Sequence, residues 1–115
     1  MELIALISSG KGSWGQVAGV IKREEWDSII LIGDDFAKKF TSEKDFEFIE
    51  TKSNSLMDLK EELGKKLKGK IKGTEVALSI ASGDGKEHMA LISALLSLPV
   101  GIRFTALTKD GMVMI

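Results

Sequence analysis

Short apolar runs alternate along this chain with segments in which apolar residues recur at helical spacing. Five runs are predicted to be strands: Leu3 to Ile7, Ser28 to Ile32, Phe46 to Glu50, Glu75 to Ile80 and Ile102 to Leu107. The first, second and fourth runs are apolar enough to be buried on both faces of a parallel sheet. Helical spacing appears between the strands, at Trp14, Val17, Ala18 and Ile21 and at Leu56, Leu59, Leu63 and Leu67. The alternation predicts right-handed βαβ units, and therefore an α/β, Rossmann-like three-layer sandwich with a mostly parallel sheet.

The end of the chain departs from this alternation. The dipeptide Asp110-Gly111 separates two strand-like runs, and it is a pair that favours the positive φ of a tight hairpin turn. The last strand, Met112 to Ile115, is therefore predicted to pair antiparallel with the fifth. Because no linker or repeat interrupts the 115 residues, residues 1–115 are expected to form one Rossmann-like domain.

Composition excludes several kinds of site and partner. The chain has no cysteine and one histidine, His88, which excludes a disulfide and a Cys/His zinc site. A metal could be held by carboxylates alone, and we predict no metal site. A net charge of −1 argues against binding to long nucleic acid, although a few lysines can still hold a small anion. No apolar run reaches the ~20 residues that span a bilayer, and no signal peptide is recognised, so we expect a cytoplasmic protein that avoids membranes. Few Asn and Gln residues beside abundant Lys and Glu favour a heat-adapted source.

Two loops of similar design follow the first and fourth predicted strands. Residues Ser8 to Ser13 and Ala81 to Lys86 are rich in glycine, and each loop runs into a helix. Each loop also carries a lysine, Lys11 in the first and Lys86 in the second. In the common doubly wound strand order these two strands are neighbours, so the loops are expected to meet at one crevice. Backbone amides, a helix N-terminus and a lysine together favour binding of a phosphate.

The first loop also fits the fingerprint of a dinucleotide site. Gly10, Gly12 and Gly15 satisfy G-x-G-x-x-G between a strand and a helix, and Asp34 follows at the distance of the ribose-binding acid. A dinucleotide-binding module is therefore one alternative. The bulky side chain of Trp14 argues against it, because the pyrophosphate needs to approach the backbone closely at this position. A Walker A loop is excluded because no Lys-Ser/Thr pair follows the glycines. The remaining alternative is that the glycines only close tight turns, in a structural or adaptor dimer without a ligand.

The helix predicted after the second loop, residues 87–98, is apolar around most of its circumference. Its polar residues are Glu87, His88, Ser93 and Ser97. A single small domain buries one face of such a helix, so the other face is predicted to meet a second copy in a homodimer, with burial inside the fold as the alternative. A two-fold axis beside the loops would merge two crevices into one symmetric pocket.

The run Ser82-Gly83-Asp84-Gly85-Lys86 and the helix after it resemble the second motif of CARF (CRISPR-associated Rossmann fold) domains. The loop Ser8-Ser9-Gly10 is similar to their first motif, and the C-terminal hairpin is also similar. The resemblance covers the whole chain in architecture and about fifteen residues in motif. It implies a dimer that binds a cyclic oligoadenylate across its two-fold axis, as a stand-alone sensor in CRISPR-linked antiviral signalling or as a ring nuclease.

The resemblance also implies roles for individual residues. Lys86 would contact phosphate and Ser9 would orient it, which makes these two the candidate catalytic residues of a slow, metal-independent cleavage by a ribose 2′-hydroxyl. His88 is the one histidine, the residue type that most often serves in acid/base steps near neutral pH. The alternative is that His88 has a purely structural role. No cofactor is expected. The predicted ligand contacts are Ser8, Gly10, Lys11, Gly12, Ser82, Gly83, Asp84, Gly85 and His88.

Overall fold

Alternating strands and helices build the α/β architecture that the sequence predicts. The computed structural model describes residues 1–9 and 13–115. The strands are β1 (Glu2–Ile7), β2 (Ile29–Gly33), β3 (Glu47–Glu50), β4 (Glu75–Ser79), β5 (Gly101–Thr108) and β6 (Gly111–Met114). The helices are α1 (Trp14–Arg23), α2 (Leu56–Leu67) and α3 (Gly85–Ser97), with a short 3-10 helix at Asp35–Lys39. The predicted strands differ from these by at most one residue at each end, and the sequence analysis did not predict the 3-10 helix.

The six strands form one sheet in the order β3-β2-β1-β4-β5-β6. Strands β1 to β5 are parallel, whereas β6 pairs antiparallel with β5 across a turn in which Gly111 has a φ of +115°. The predicted fold class, a mostly parallel sheet with an antiparallel C-terminal hairpin, is confirmed. Because β1 and β4 are neighbours, the loops that follow them leave the carboxyl edge of the sheet side by side.

Apolar side chains cover both faces of the sheet. On one face Val17, Val20 and Ile21 of α1 pack against the odd-numbered residues of β1, and on the other α2 and α3 pack against its even-numbered residues. All six residues of β1 are buried, which explains why its sequence shows no alternation of apolar and polar residues. No helix in the described ranges, 1–9 and 13–115, is long and apolar enough to cross a membrane.

A buried carboxylate joins the segments at the amino edge of the sheet. Glu2, at the start of β1, is 6% exposed. One of its oxygens accepts hydrogen bonds from the backbone amides of Lys72 and Gly73, at 2.9 and 2.8 Å, and the other accepts from the Ser28 hydroxyl at 3.1 Å. Glu2 therefore fixes the approach to β4 against the start of β1, which helps to set the register of the two strands that carry the loops.

The hairpin of β5 and β6 extends past the end of β4 and packs on α1. Residues Gly101 to Phe104 pair with β4, while Thr105 to Thr108 pair with β6. Leu107 lies directly against Gly19 of α1, where an added Cβ would come within 2.4 Å of the leucine Cδ2. A glycine in the middle of this helix is therefore explained by the close approach of the hairpin.

Gly33, the last residue of β2, is predicted to be intolerant of a side chain. A Cβ there would lie 2.4 Å from the Ala37 Cβ and 2.5 Å from the Ile7 carbonyl oxygen, which belongs to a rigid central strand. We expect Gly33→Ala to lower the free energy of unfolding by about 1–3 kcal/mol, as overpacking does. The matched control is Gly64→Ala in α2, where nothing lies within 4 Å of the new methyl group. Chemical denaturation should show this control unchanged or up to about 1 kcal/mol more stable, and equal effects of the two changes would contradict the packing described here.

Candidate functional site

A hydrogen bond between two serines joins the loops that follow β1 and β4. The backbone amide of Ser8 donates to the Ser82 hydroxyl at 2.8 Å, and Ser82 is 1% exposed. Ser9, the next residue, is exposed to solvent beside this contact. The structure thus brings together Ser8 and Ser82, which the sequence assigned to two separate motifs 74 residues apart. Ser8 borders the hollows at this edge, where the sequence predicts a crevice, while Ser82 is buried beneath it.

A capping box begins α3 directly beside the serine pair. The Asp84 carboxylate accepts a hydrogen bond from the Glu87 amide at 2.8 Å, and the Glu87 carboxylate accepts one from the Asp84 amide at 2.9 Å. The same Glu87 oxygen lies 3.3 Å from the Ser8 hydroxyl, which donates to it. Glu87 therefore connects both loops, a role that sequence analysis missed. The signal was present, since an acid three residues after an N-cap aspartate is the capping-box pattern.

Gly83 and His88 both contribute to the conformation of the second loop. Gly83 has a φ of +100°, a conformation that favours glycine, and a Cβ there would lie 3.2 Å from the His88 Nε2. That ring nitrogen lies 3.0 Å from the carbonyl oxygen of Ser82, within hydrogen-bonding distance. His88 is half-buried and bonded to the loop backbone, so in this arrangement it supports the loop instead of pointing into open solvent.

Lys86 borders a hollow beside Ser8 and reaches across it to the loop between β3 and α2. Its ammonium group donates a hydrogen bond to the carbonyl oxygen of Asn54, while Gly85 is exposed at the first turn of α3. Lys86 and Ser8 thus border the same hollow, while the Lys86 ammonium group is bonded to Asn54. The remaining first-loop contacts of the prediction, Gly10, Lys11 and Gly12, lie outside the described residues.

Glu62 of α2 holds the loop between β3 and α2, in which the Asn54 carbonyl oxygen accepts the hydrogen bond from Lys86. Glu62 accepts hydrogen bonds from the amides of Lys52 and Ser53, at 3.0 Å each, and from the Lys66 ammonium at 2.7 Å. Burial acts to raise the pKa of Glu62, but the hydrogen bonds from Lys66, Ser53 and Lys52 outweigh it and lower the pKa from 4.5 to about 2. The sequence does show the i,i+4 spacing of Glu62 and Lys66, but no local pattern pointed to its contact with the loop, because Lys52 and Ser53 lie about ten residues earlier in the chain.

Two hollows open on either side of Ser8. One of about 520 Å³ lies towards α2, and one of about 420 Å³ lies towards the start of α1. The first is bordered by five carboxylates and two ammonium groups, so its described rim is acidic. The five acids are Asp34, Asp35, Glu50, Asp84 and Glu87. Lys38 bonds to two of them, Glu50 at 2.9 Å and Asp35 at 3.3 Å, and these contacts raise the pKa of its ammonium group.

Of the dinucleotide fingerprint, the structure describes Gly15, in the first turn of α1, and Asp34. Asp34 and Trp14, the residue before Gly15, both have partners within the fold. The indole nitrogen of Trp14 donates to the Ser8 carbonyl oxygen, and the ring packs against Phe36 and Phe40 with centroids 5.7 and 5.8 Å away. Asp34 caps the 3-10 helix by accepting from the Ala37 amide at 3.3 Å. Among residues 1–9 and 13–115, no three His, Cys, Asp or Glu side chains converge as ligands of a metal.

Removal of the Ser82 hydroxyl should destabilise the junction of the loops. Ser82→Ala leaves the Ser8 amide without its acceptor in a partly buried position, which costs about 1–3 kcal/mol. We expect urea denaturation to show a lower midpoint with an unchanged slope. Ser9→Ala removes a hydroxyl from an exposed neighbour and serves as the control, which should unfold like the unchanged protein. If the two variants unfold alike, the serine contact does not join the loops in solution.

Glu62 should stabilise the protein in a pH-dependent way. Its pKa in the folded chain is lower than in the unfolded chain, so its contribution is complete above about pH 5 and is lost as the pH falls towards 2. Glu62→Gln should therefore lower the free energy of unfolding by about 1–3 kcal/mol at pH 7, while the difference disappears near pH 2. Glu61→Gln, an exposed neighbour, is the matched control and should have little effect at either pH. A deficit of Glu62→Gln that is the same at both pH values would contradict this assignment.

A comparison of the chain with models of known protein families gives no match, and neither does a comparison with curated proteins. The crevice is therefore the feature of the protein that bears on function. Its distinguishing features are two glycine-containing loops joined by Ser8 and Ser82, a capped helix N-terminus between them, and a rim of carboxylates.

Proposed function

We propose that this protein binds a cyclic oligoadenylate at the crevice between the β1–α1 and β4–α3 loops, in a pocket completed by a second copy of the chain. The observation that carries the proposal is the hydrogen bond from the Ser8 amide to the Ser82 hydroxyl at 2.8 Å. It supports a single site made from the two stretches that resemble CARF motifs. In this role the protein is a sensor in CRISPR-linked antiviral signalling, acting in the cytoplasm.

The charges of the crevice suit a ligand that carries both phosphates and hydroxyl groups. The N-terminus of α3 presents the positive end of its dipole to a phosphate, and the exposed Ser9 hydroxyl can donate to it. Asp84 and Glu87 each accept a backbone amide of the capping box, so part of their charge is already compensated. Their remaining lone pairs accept hydrogen bonds from ribose hydroxyls, which places the acids beside the sugars and away from the phosphates.

The described contacts favour binding over rapid cleavage. In the cleavage step the ribose 2′-oxygen attacks the adjacent phosphorus, the P–O5′ bond breaks, and the 2′-hydroxyl proton ends on the 5′-oxygen, giving a 2′,3′-cyclic phosphate. Lys86 would have to leave the Asn54 carbonyl to stabilise the developing charge, and His88 would have to leave the Ser82 carbonyl to move the proton. We therefore propose a sensor, with ring cleavage as a slow second activity.

Titration calorimetry with cyclic tetra-adenylate and cyclic hexa-adenylate tests the proposal. We expect micromolar protein to bind one of the two rings. Ser9→Ala and Lys86→Ala should each weaken binding roughly 10- to 100-fold, as loss of a hydrogen bond to a charged group does. Lys65→Ala, which removes an exposed lysine of α2, is the control and should bind like the unchanged protein.

Absence of heat with both rings would overturn the proposed function. Bound ring recovered intact after overnight incubation would assign the protein as a sensor, while slow appearance of linear product would assign the second activity as well. Millimolar NAD should leave the melting temperature unchanged, because Trp14 and Asp34 are engaged within the fold.

A further inference from the structure

A groove of about 250 Å³ lies between the C-terminal halves of α2 and α3. This α2–α3 groove is bordered by Lys60, Glu61, Gly64, Lys65, Ala94, Ser97 and Leu98. Each of the two helices returns the chain to the start of the next parallel strand, so their C-terminal halves lie towards the amino edge of the sheet. Among the described residues, none borders both this groove and a hollow beside Ser8. The groove is therefore separate from the crevice.

Gly64 keeps the α2 side of the groove open. A Cβ at this position would meet no atom of the described chain within 4 Å, whereas a Cβ at Gly19 or at Gly33 would come within 2.4 Å of a neighbouring side chain. Glycine inside a helix costs about 0.5–1 kcal/mol relative to alanine. Close packing within the fold accounts for Gly19 and Gly33, but it does not account for Gly64. Close approach of another molecule from outside would account for it.

The α3 side of the groove is apolar and uncharged. Residues 89–100 contain no charged side chain, Ala94 is buried, and Leu98 packs against the core. The Ser97 hydroxyl is the one polar side-chain group that α3 gives to the described border. A volume of about 250 Å³ is below the roughly 300–1,000 Å³ of pockets that enclose small-molecule ligands. The groove has the size of an anchor pocket for one large apolar side chain of a partner protein.

The α2 side of the groove carries lysines that the fold does not use. Lys60 and Lys65 lie on the border, and Lys68 follows one turn after Gly64. No ion pair joins any of these three lysines to an acid among residues 1–9 and 13–115. By contrast, Lys66 points away from the groove and pairs with Glu62 at 2.7 Å. The ammonium groups on the groove side are therefore available to an acidic partner.

We propose that the α2–α3 groove docks an acidic amphipathic helix of another protein. One large apolar side chain of that helix occupies the space over Gly64, and acidic residues about one turn before and after it pair with Lys60 and Lys65. Glu61, the one acid on the described border, repels an acidic residue placed opposite it and so restricts the register of the partner. This inference does not rest on the proposed function.

The observations favour an acidic helix over a nucleic acid. Proteins that hold single strands combine basic groups with aromatic rings on which the bases stack. No aromatic ring borders the groove in the part of the chain that the structure describes, and its α3 side is aliphatic. An apolar side between unpaired lysines instead complements a helix that has one apolar face with acids beside it.

Display of a random peptide library on phage, selected against the full chain, tests the groove. We expect enriched peptides to share one large apolar residue with Asp or Glu about one turn before and after it. Gly64→Leu places a side chain in the groove, so it should weaken binding of the selected, fluorescein-labelled peptide by about 10-fold or more in fluorescence polarisation. The variant should unfold at the same or a higher denaturant concentration, because leucine is a better helix former than glycine.

Charge reversal tests the role of the lysines with the same labelled peptide. The double variant Lys60→Glu with Lys65→Glu should weaken binding about 10- to 100-fold, since each new carboxylate faces an acid of the peptide. The matched control is Lys22→Glu with Lys109→Glu, which makes the same change in net charge at exposed positions of α1 and the hairpin turn. This control should bind within about 2-fold of the unchanged protein in physiological salt, where distant charges are screened.

Three results would overturn the inference. They are a selection that enriches no acidic peptide, equal binding of the selected peptide to Gly64→Leu and to the unchanged protein, and tighter binding of a labelled oligo-dT strand than of the peptide. Calorimetry with the cyclic rings reports on the proposed function separately, because Gly64→Leu leaves the crevice unchanged. Loss of peptide binding with intact ring binding supports the groove, and a protein that binds the peptide but neither ring refutes only the proposed function.

Discussion

The pairing of β1 with β4 is the contact on which the rest of the structure depends. β1 is buried on both faces and bonded along both edges, to β2 on one side and to β4 on the other. Chain direction across the sheet reverses at this pair, so two loops distant in sequence leave the same edge together. Glu2 holds the amino ends of the two strands, and the serine pair joins the loops at their carboxyl ends. The crevice is thus a consequence of strand order.

The carboxyl edge combines features that usually favour ligands of opposite charge. A capped helix N-terminus attracts an anion, whereas five carboxylates around one hollow repel it. The structure moderates this conflict through hydrogen bonds, since Asp84 and Glu87 accept backbone amides and Glu50 bonds to Lys38. In the proposed function, this edge would discriminate between ligands by the placement of their charges, and it would favour molecules in which negative groups and hydroxyl groups alternate.

Much of the fold could be predicted from the sequence because periodicity and turn residues are local signals. The buried strands, the two amphipathic helices and the Asp110-Gly111 hairpin all follow from patterns within a few residues. The site was less predictable. Ser8 and Ser82 could be placed together through strand order, but the direction of Lys86 towards Asn54 depends on a loop held by Glu62 from a third element. A contact set by three separate segments leaves no periodic trace in the chain.

The serine pair also has a consequence for the order of events in folding. Ser8 and Ser82 are 74 residues apart, so the crevice cannot close before β4 has been made and inserted beside β1. During synthesis β1 can pair with β2 early, leaving its other edge open until most of the chain has emerged. Because long-range pairing of parallel strands is slow, the crevice is among the last parts of the molecule to form. Binding at the crevice, as proposed, would therefore require β4 to be paired with β1.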